Sequence, residues 1–454
     1  MMAAAAADPV QPFGRRGLCP ALSAPMRTGD GFLSRVAFEA DISPRAMVVL
    51  CDLAERHGNG LLDITARGSL QFRGLTPESA CALEKDVLAL GLPLREGLAV
   101  ETSPLAGRDD AEIADGRFLA DQIRKEADRL ALHEKLAAKI SIVIDGGGYL
   151  SMGELLADIR LKAIRLGSQT FWQLLVGGPE SKALNAGLVG KDSAADVVLS
   201  LLLYLAGKGS LARGRDLDDS IIKSVCGDRL LDRVIKREAV PAPSSPLGLM
   251  AAGMGLFATG AAPAFGQVRG LDLSRLCQEA DMLGIRALRP SPNHSMLFFG
   301  SKSACDALLE AAGTSGFVTE AGDARSSIAV CPGAPGCASA FLLTHELAAF
   351  ASRECASLLD GSFTLHISGC GKGCAHPAPS LLAFCGTADG LAFSVSGRAG
   401  DLPDGILPFA QQRTALSRLA RLYEKEHKPG ENGATLLARL GGQAIGAALR
   451  QDDR

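Results

Sequence analysis

Nothing in this sequence supplies the positive charge that a nucleic-acid groove or an anionic membrane surface would attract. Lysine and arginine number 47 against 50 acidic residues, a formal net charge of −3, so no global field of that sign exists. A membrane span is missing too. The most apolar run, VVLSLLLYLA at 197–206, is about half the ~20 residues a span needs. The start, MMAAAAADPVQPFGRR, lacks the basic n-region and apolar stretch of a secretory signal, and 1–14 reads as a disordered leader. GGGY at 146–149 is no dinucleotide fingerprint, since no GxGxxG opens a helix there. These absences leave a soluble, cytoplasmic protein with no nucleic-acid or membrane partner. At 454 residues it is long enough for two or more domains.

What the chain does have is cysteine, twelve in all. Without a secretory signal these belong to a reducing compartment, where thiols serve metals or cores rather than disulfides. Four of them form two tight pairs. VCPGAPGC, 330–337, places five residues between Cys331 and Cys337, and HISGCGKGCAHP, 366–377, places three between Cys370 and Cys374. SIAV at 327–330 and FTLHIS at 363–368 read as strands, and 339–355 between them reads as a helix. Strand, helix and parallel strand make a crossover. Both strands end at cysteines, so both pairs are expected at the carboxyl edge of one sheet, where open α/β sites form. A helix beginning near Ser339 would point its positive end at Cys337 and favour the thiolate. Gly369, Gly371 and Gly373 would let backbone amides approach the sulfurs.

Four thiolates on glycine-rich loops suit zinc or an iron–sulfur cube. Zinc knuckles usually use shorter, matched gaps, and the cube is the reading adopted. Cys51, Cys81, Cys277, Cys305, Cys355 and Cys385 sit in apolar patterns and read as core. Cys226 closes a helix, and Cys19 lies in the loop-like segment GLCPALSAPM.

AVPAPSSPLG, 239–248, is a linker that splits the chain nearly in half, and the halves look like distant copies. In the first, a helix at 43–57 leads to LDITARGSLQFRGL, 62–75, and a helix at 77–90. In the second, a helix at 273–283 leads to LRPSPNHSMLFFG, 288–300, and a helix at 301–312. Short strands follow in both halves. Only the second copy carries the cysteine pairs; the first has Asp145 and glycines instead, so one cluster is expected, not two.

Arginine and lysine beside Gly, Thr or Ser mark candidate anion sites. SAPMRTGDGFLSRV, 23–36, offers Arg27 and Arg35; LDITARGSLQFRGL offers Thr65, Arg67, Gln71 and Arg73. As one strand, 67–73 would put Arg67, Ser69, Gln71 and Arg73 on a polar face opposite Leu70 and Phe72. Lys372, inside the second cysteine pair, adds a cation.

The two cysteine gaps, in this order near the end of the chain, resemble those of the siroheme sulfite and nitrite reductases. HISGCGKGCAHP, with His-Pro directly after the last pair, more closely resembles the precorrin-3B synthase branch of that superfamily. The resemblance covers about residues 15–400 and implies an α+β fold with a duplicated nitrite/sulfite reductase-like architecture. Two ferredoxin-like half-domains, 15–95 and 249–318, would each be followed by an α/β lobe, 96–238 and 319–400, with a helical tail at 401–454. It further implies a 4Fe–4S cluster on Cys331, Cys337, Cys370 and Cys374. Thr65-Ala66-Arg67 looks like the family's Thr-x-Arg motif, whose arginine reaches the macrocycle or its anionic ligand. The stretch 132–148 resembles the family's lysine-bearing segment, with Lys135 the equivalent and Lys139, slightly off the family spacing, a second candidate. His294 stands at the mirrored position of the second half.

The implied activity is a monooxygenase of aerobic cobalamin biosynthesis, acting on precorrin-3A with O2 and drawing electrons from a separate reductase. His376 and Lys135 are the candidates for catalytic roles, and His376 or His366 could touch a mononuclear non-haem iron. The alternatives are a siroheme-dependent nitrite or sulfite reductase and a non-catalytic tetrapyrrole-binding or electron-transfer module. Siroheme and precorrins are both flat tetrapyrroles ringed by carboxylates, so the same separated cations suit either.

Overall fold

Helix starts and hairpins follow local chemistry closely. In the computed structural model, which describes residues 21–231 and 245–450, Ser43 caps the first helix by accepting from the Ala46 amide, with Pro44 in the first turn. The leader, Cys19 and residues 239–244 of the linker lie outside the described residues. The first half-domain runs β1 (Met26–Thr28), β2 (Gly31–Val36), α1 (Pro44–His57), β3 (Leu61–Ile64), β4 (Leu70–Leu75) and α2 (Pro77–Ala89). The first lobe follows with β5 (Val100–Thr102), α3 (Arg117–Arg129), α4 (Leu132–Lys135), β6 (Ile142–Asp145), β7 (Ala157–Leu166), β8 (Gln169–Gly178), β9 (Leu184–Gly190), α5 (Ala194–Lys208), α6 (Asp219–Cys226) and β10 (Leu230–Leu231).

The second half-domain repeats the first as β11 (Gly248–Ala251), β12 (Phe257–Ala261), β13 (Gln267–Arg269), α7 (Gly270–Met282), β14 (Ala287–Ser291), β15 (Ser295–Gly300) and α8 (Lys302–Thr314). The second lobe holds β16 (Ile328–Val330), a single turn α9 (Gly333–Gly336), α10 (Thr344–Glu354), β17 (Leu365–Ser368), β18 (Ser380–Thr387), β19 (Gly390–Gly397), β20 (Gly405–Leu407), α11 (Gln412–Glu426) and α12 (Gly433–Arg450). The apolar run at 197–206 lies within α5, whose residues are largely buried. No helix among the described residues is long and apolar enough to cross a membrane.

The described strands form four sheets, two per half. Both lobes carry three parallel strands followed by antiparallel ones: β5, β6 and β7 in the first, β16, β17 and β18 in the second. The half-domains lock together by exchange. β13 of the second pairs with β3 of the first, and Ile42 of the first bridges Leu288 on β14 of the second. Their helices α1 and α7 share one core with both sheets. The tail is part of the second lobe: β20 continues its sheet, and Leu416, Leu437 and Leu449 of α11 and α12 fill its core.

The first hairpin of each half-domain reaches across to one lobe. Gly29, between β1 and β2, lies so close to the second lobe that a Cβ there would sit 2.6 Å from the Ala338 amide nitrogen. Gly253, between β11 and β12, presses on the Arg108 carbonyl of the first lobe in the same way. The first half-domain's sheet therefore meets the cysteine-bearing lobe, and the second half-domain's sheet meets the other.

Three expectations change. The helix after Cys337 begins at Thr344, not Ser339. The Phe341 amide donates to the Gly369 carbonyl and the Ala334 amide to that of Leu342, holding 339–343 off the helix. The helix N-terminus consequently does not abut Cys337. Cys81 is exposed on α2, whereas Cys51, Cys277, Cys305, Cys355 and Cys385 are buried. Arg67 and Ser69 lie in the β3–β4 turn rather than on the strand.

Candidate functional site

Strand alternation in β4 sends Leu70 and Phe72 to the helices and Gln71 and Arg73 to the opposite face. Register extends that face into a polar row. Arg35 pairs with Gln71, Gln71 with Asp63, and Asp63 with Gln267, crossing β2, β4, β3 and β13. With its amide oxygen turned toward β2, Gln71 accepts from Arg35 Nη2 at 2.5 Å and Nε at 3.0 Å. Gln267 Nε2 donates to Asp63 Oδ1 at 2.8 Å.

Arg73, 2% exposed, is committed to this face rather than presented to a ligand. Its Nε and Nη2 donate to the two carboxylate oxygens of Asp30 at 3.0 Å each, and its Nη1 donates to Asp63 Oδ2 at 2.9 Å. Nη2 also donates to the Gly336 carbonyl at 2.7 Å, inside the loop joining Cys331 to Cys337. Burial works against the guanidinium charge, but Asp63 and Asp30 outweigh it and raise the Arg73 pKa. Thr28 Oγ1 donates to Asp30 Oδ1 at 2.8 Å, and Arg27 stands exposed on β1.

Thr65 shapes the turn that carries Arg67: its hydroxyl oxygen accepts from the Ser69 amide at 3.0 Å and the Arg67 amide at 3.4 Å. Arg67 Nη2 then reaches the first lobe, donating to Ser141 Oγ at 3.2 Å and the Leu156 carbonyl at 2.5 Å. Lys139, two residues before Ser141, is exposed, and its carbonyl accepts from Arg213 at 3.0 Å. Lys135 is also exposed, and its Nζ donates to the Leu130 carbonyl at 3.2 Å, beside its own helix. The structure thus brings the Lys139 segment, more directly than Lys135, to the wall that Arg67 touches. His294 is a clamp between half-domains: its Nδ1 lies 2.6 Å from the Ile64 carbonyl oxygen, and burial lowers its pKa.

The cysteines sit where β16 and β17 end, side by side in a parallel pair. Thr344 Oγ1 donates to the Cys331 carbonyl at 2.6 Å, and Ser368 Oγ to that of Cys370 at 2.7 Å. Lys372 Nζ donates to Ser339 Oγ at 2.9 Å, stitching one cysteine loop to the other. The Gly369 amide donates to Cys331 Sγ at 3.1 Å. Burial pushes the Cys331 thiol up, the Gly369 and Gly333 amides oppose it, and Cys337 and Cys370 push it further. Cys370 is raised by burial first, and Cys337 and Cys374 add to it.

Among the described residues, no three His, Cys, Asp or Glu side chains converge as ligands of a single metal ion do. A lone zinc ion is therefore not matched by the four thiols. A cube asks something different, because each of its four thiolates binds a separate iron and the sulfurs surround a volume. Thiols on two loops tied together by the Lys372–Ser339 bond, with an amide already directed at one sulfur, fit that demand. His376 and His366 are the two candidates for contact with a mononuclear iron. The rings meet edge-on with centroids 5.7 Å apart, without a third ligand among the described residues.

The nitrite/sulfite reductase ferredoxin-like half domain matches residues 24–90. A precorrin-3B synthase from a Sinorhizobium species is 38% identical over 439 residues, spanning 96% of this chain and 95% of that protein. The chain belongs to the precorrin-3B synthase family. The NirA protein of Mycobacterium tuberculosis superposes with a TM-score of 0.73 at 19% identity, covering 91% of this chain and 84% of that one. That likeness shows the fold, a duplicated α+β architecture.

In this member of the precorrin-3B synthase family, the mirror of the cysteine corner is closed. Asp145 Oδ2 accepts from the Met152 amide at 2.9 Å, and the buried Arg160 donates from Nη1 to the Met152 carbonyl at 2.6 Å and from Nη2 to that of Leu155. Leu105 and Leu150 pack on Leu297 and Phe299, covering the second half-domain's sheet. Asp30, Asp63, Gln267 and His345 were not singled out from sequence. His345 lies on α10 facing this network; burial lowers its pKa, with Asp63 opposing and Arg73 adding. The available signal was Asp63, a lone charge in the apolar strand LLDI.

Proposed function

We propose that the protein acts as a precorrin-3B synthase, hydroxylating precorrin-3A at its C20 bridge carbon with dioxygen and closing a γ-lactone. One oxygen atom enters the macrocycle and the other leaves as water, with two electrons and two protons delivered through a separate reductase. What carries the reading is one juxtaposition: the Cys331–Cys337 loop is bonded through Gly336 to Arg73, on the same sheet face as Arg35 and Gln71. A redox centre in that corner would lie against a polar, cationic surface suited to a ring of carboxylates.

Cys331, Cys337, Cys370 and Cys374 would hold a 4Fe–4S cluster, which when bound supplies one-electron transfer. Arg35, Gln71 and Arg67 orient acetate and propionate groups from the sheet and its turn. Lys139 approaches from the first lobe, Arg27 lies at the rim, and Lys372 braces the cysteine loops. Arg73 holds the loop rather than the substrate. The walls of both lobes fix the macrocycle's face and limit water beside it.

Anaerobic purification followed by an absorption spectrum tests the reading. A broad iron–sulfur shoulder alone is expected. Strong siroheme bands would overturn it in favour of a nitrite or sulfite reductase.

A further inference from the structure

His366 is fully buried, and neither ring nitrogen has a hydrogen-bond partner. Leaving a buried polar group unpaired is costly, so such an orphan calls for a group that completes it. Strand alternation explains its direction. Leu365 and Ile367 enter the core under α10, so His366 projects from the other face of β17. Its register neighbours there, Ala329 on β16 and Ala383 on β18, are small and leave the ring room.

The ring lies under the second cysteine pair. Its Cε1 is 3.6 Å from where a Cβ on Gly373 would stand, and Gly373 has φ +57°, between Cys370 and Cys374. Cε1 is the carbon between Nδ1 and Nε2, so the edge turned toward that loop carries both nitrogens. His376 meets the ring edge-on at 5.7 Å without a hydrogen bond.

We propose that His366 donates a ring N–H to a sulfur of the cluster bound by the four cysteines, and so acts as a positioning residue that sets its reduction potential. This rests on the cluster reading above. A hydrogen bond to sulfur stabilises the more negative, reduced state and raises the potential. No bond is broken, and the proton stays on nitrogen.

The test uses the full chain, purified anaerobically, labelled with 15N-histidine and reduced. Pulsed EPR should show a histidine nitrogen coupling and an exchangeable proton coupled to the cluster spin. His366→Phe should abolish both and move the midpoint negative. At the wild-type midpoint its oxidised-to-reduced ratio should rise roughly tenfold, about 59 mV for a one-electron couple. His366→Gln, which keeps an N–H donor, should recover part of the shift. An unchanged potential in His366→Phe overturns the proposal. If that variant does not fold, the wild-type spectrum decides, and absence of the nitrogen coupling overturns it. Iron and acid-labile sulfide separate the two levels: a protein lacking both refutes the cluster itself, whereas a loaded protein without the coupling refutes only the role of His366.

Discussion

Arg73→Ala should destabilise the protein and loosen its cysteine corner together. The guanidinium joins Asp30 and Asp63, whose side chains are 10% and 12% exposed, and replacing it leaves two nearly buried carboxylates without a counter-charge. Breaking such a pair costs about 3–5 kcal/mol, and loss of the bond to the Gly336 carbonyl adds about 1 kcal/mol. Arg73→Lys should fall between, because one ammonium cannot reproduce the fork that spans both carboxylates. Urea unfolding reads the stability, and iron per chain after gel filtration reads the corner. Both should drop in Arg73→Ala and drop less in Arg73→Lys. A variant as stable as the parent, with full iron content and only weaker tetrapyrrole binding, would show that Arg73 faces the ligand and refute the reasoning.

Lys139→Ala should weaken precorrin-3A binding roughly tenfold to a hundredfold, the loss of one charge-assisted hydrogen bond, while Lys135→Ala changes it little; a titration giving the reverse order would reject the first-lobe wall as drawn. Burial pushes the Glu112 carboxyl up to about 7 against the pull of the Gly107 amide. Its unfolded value is near 4.3, so the folded state binds more protons between these values and stability falls as pH rises through that window. Glu112→Gln should flatten this slope in urea titrations at intermediate pH values, and equal slopes in parent and variant would contradict the assignment.

Elements with local chemistry were readable from the residues alone. Ser43 and Pro44 start α1, Ser301 caps α8, and the parallel pair β16 and β17 follows from two short apolar runs bounded by cysteines. Readings failed where distant backbone overrode a local pattern. The sequence 339–343 has helical periodicity, yet the Gly369 carbonyl holds Phe341 outside the helix. Arg67 alternates correctly for a strand, but the Thr65 hydroxyl captures two amides and makes a turn. Arg73 resembled a ligand cation because its partners are remote in sequence: Asp30 lies 43 residues away and Gly336 263. The duplication was legible, whereas the crossing of the first hairpin of each half-domain onto one lobe was not, since close approach at Gly29 leaves no mark beyond a glycine in a turn.

The most direct test of the account is turnover of precorrin-3A by the anaerobically purified protein, given a reductant and isotopically labelled dioxygen. The predicted product gains one labelled oxygen atom and carries a lactone, and Cys370→Ser abolishes its formation. A cluster-loaded protein that leaves precorrin-3A unchanged, or a product whose new oxygen comes from water, would contradict it.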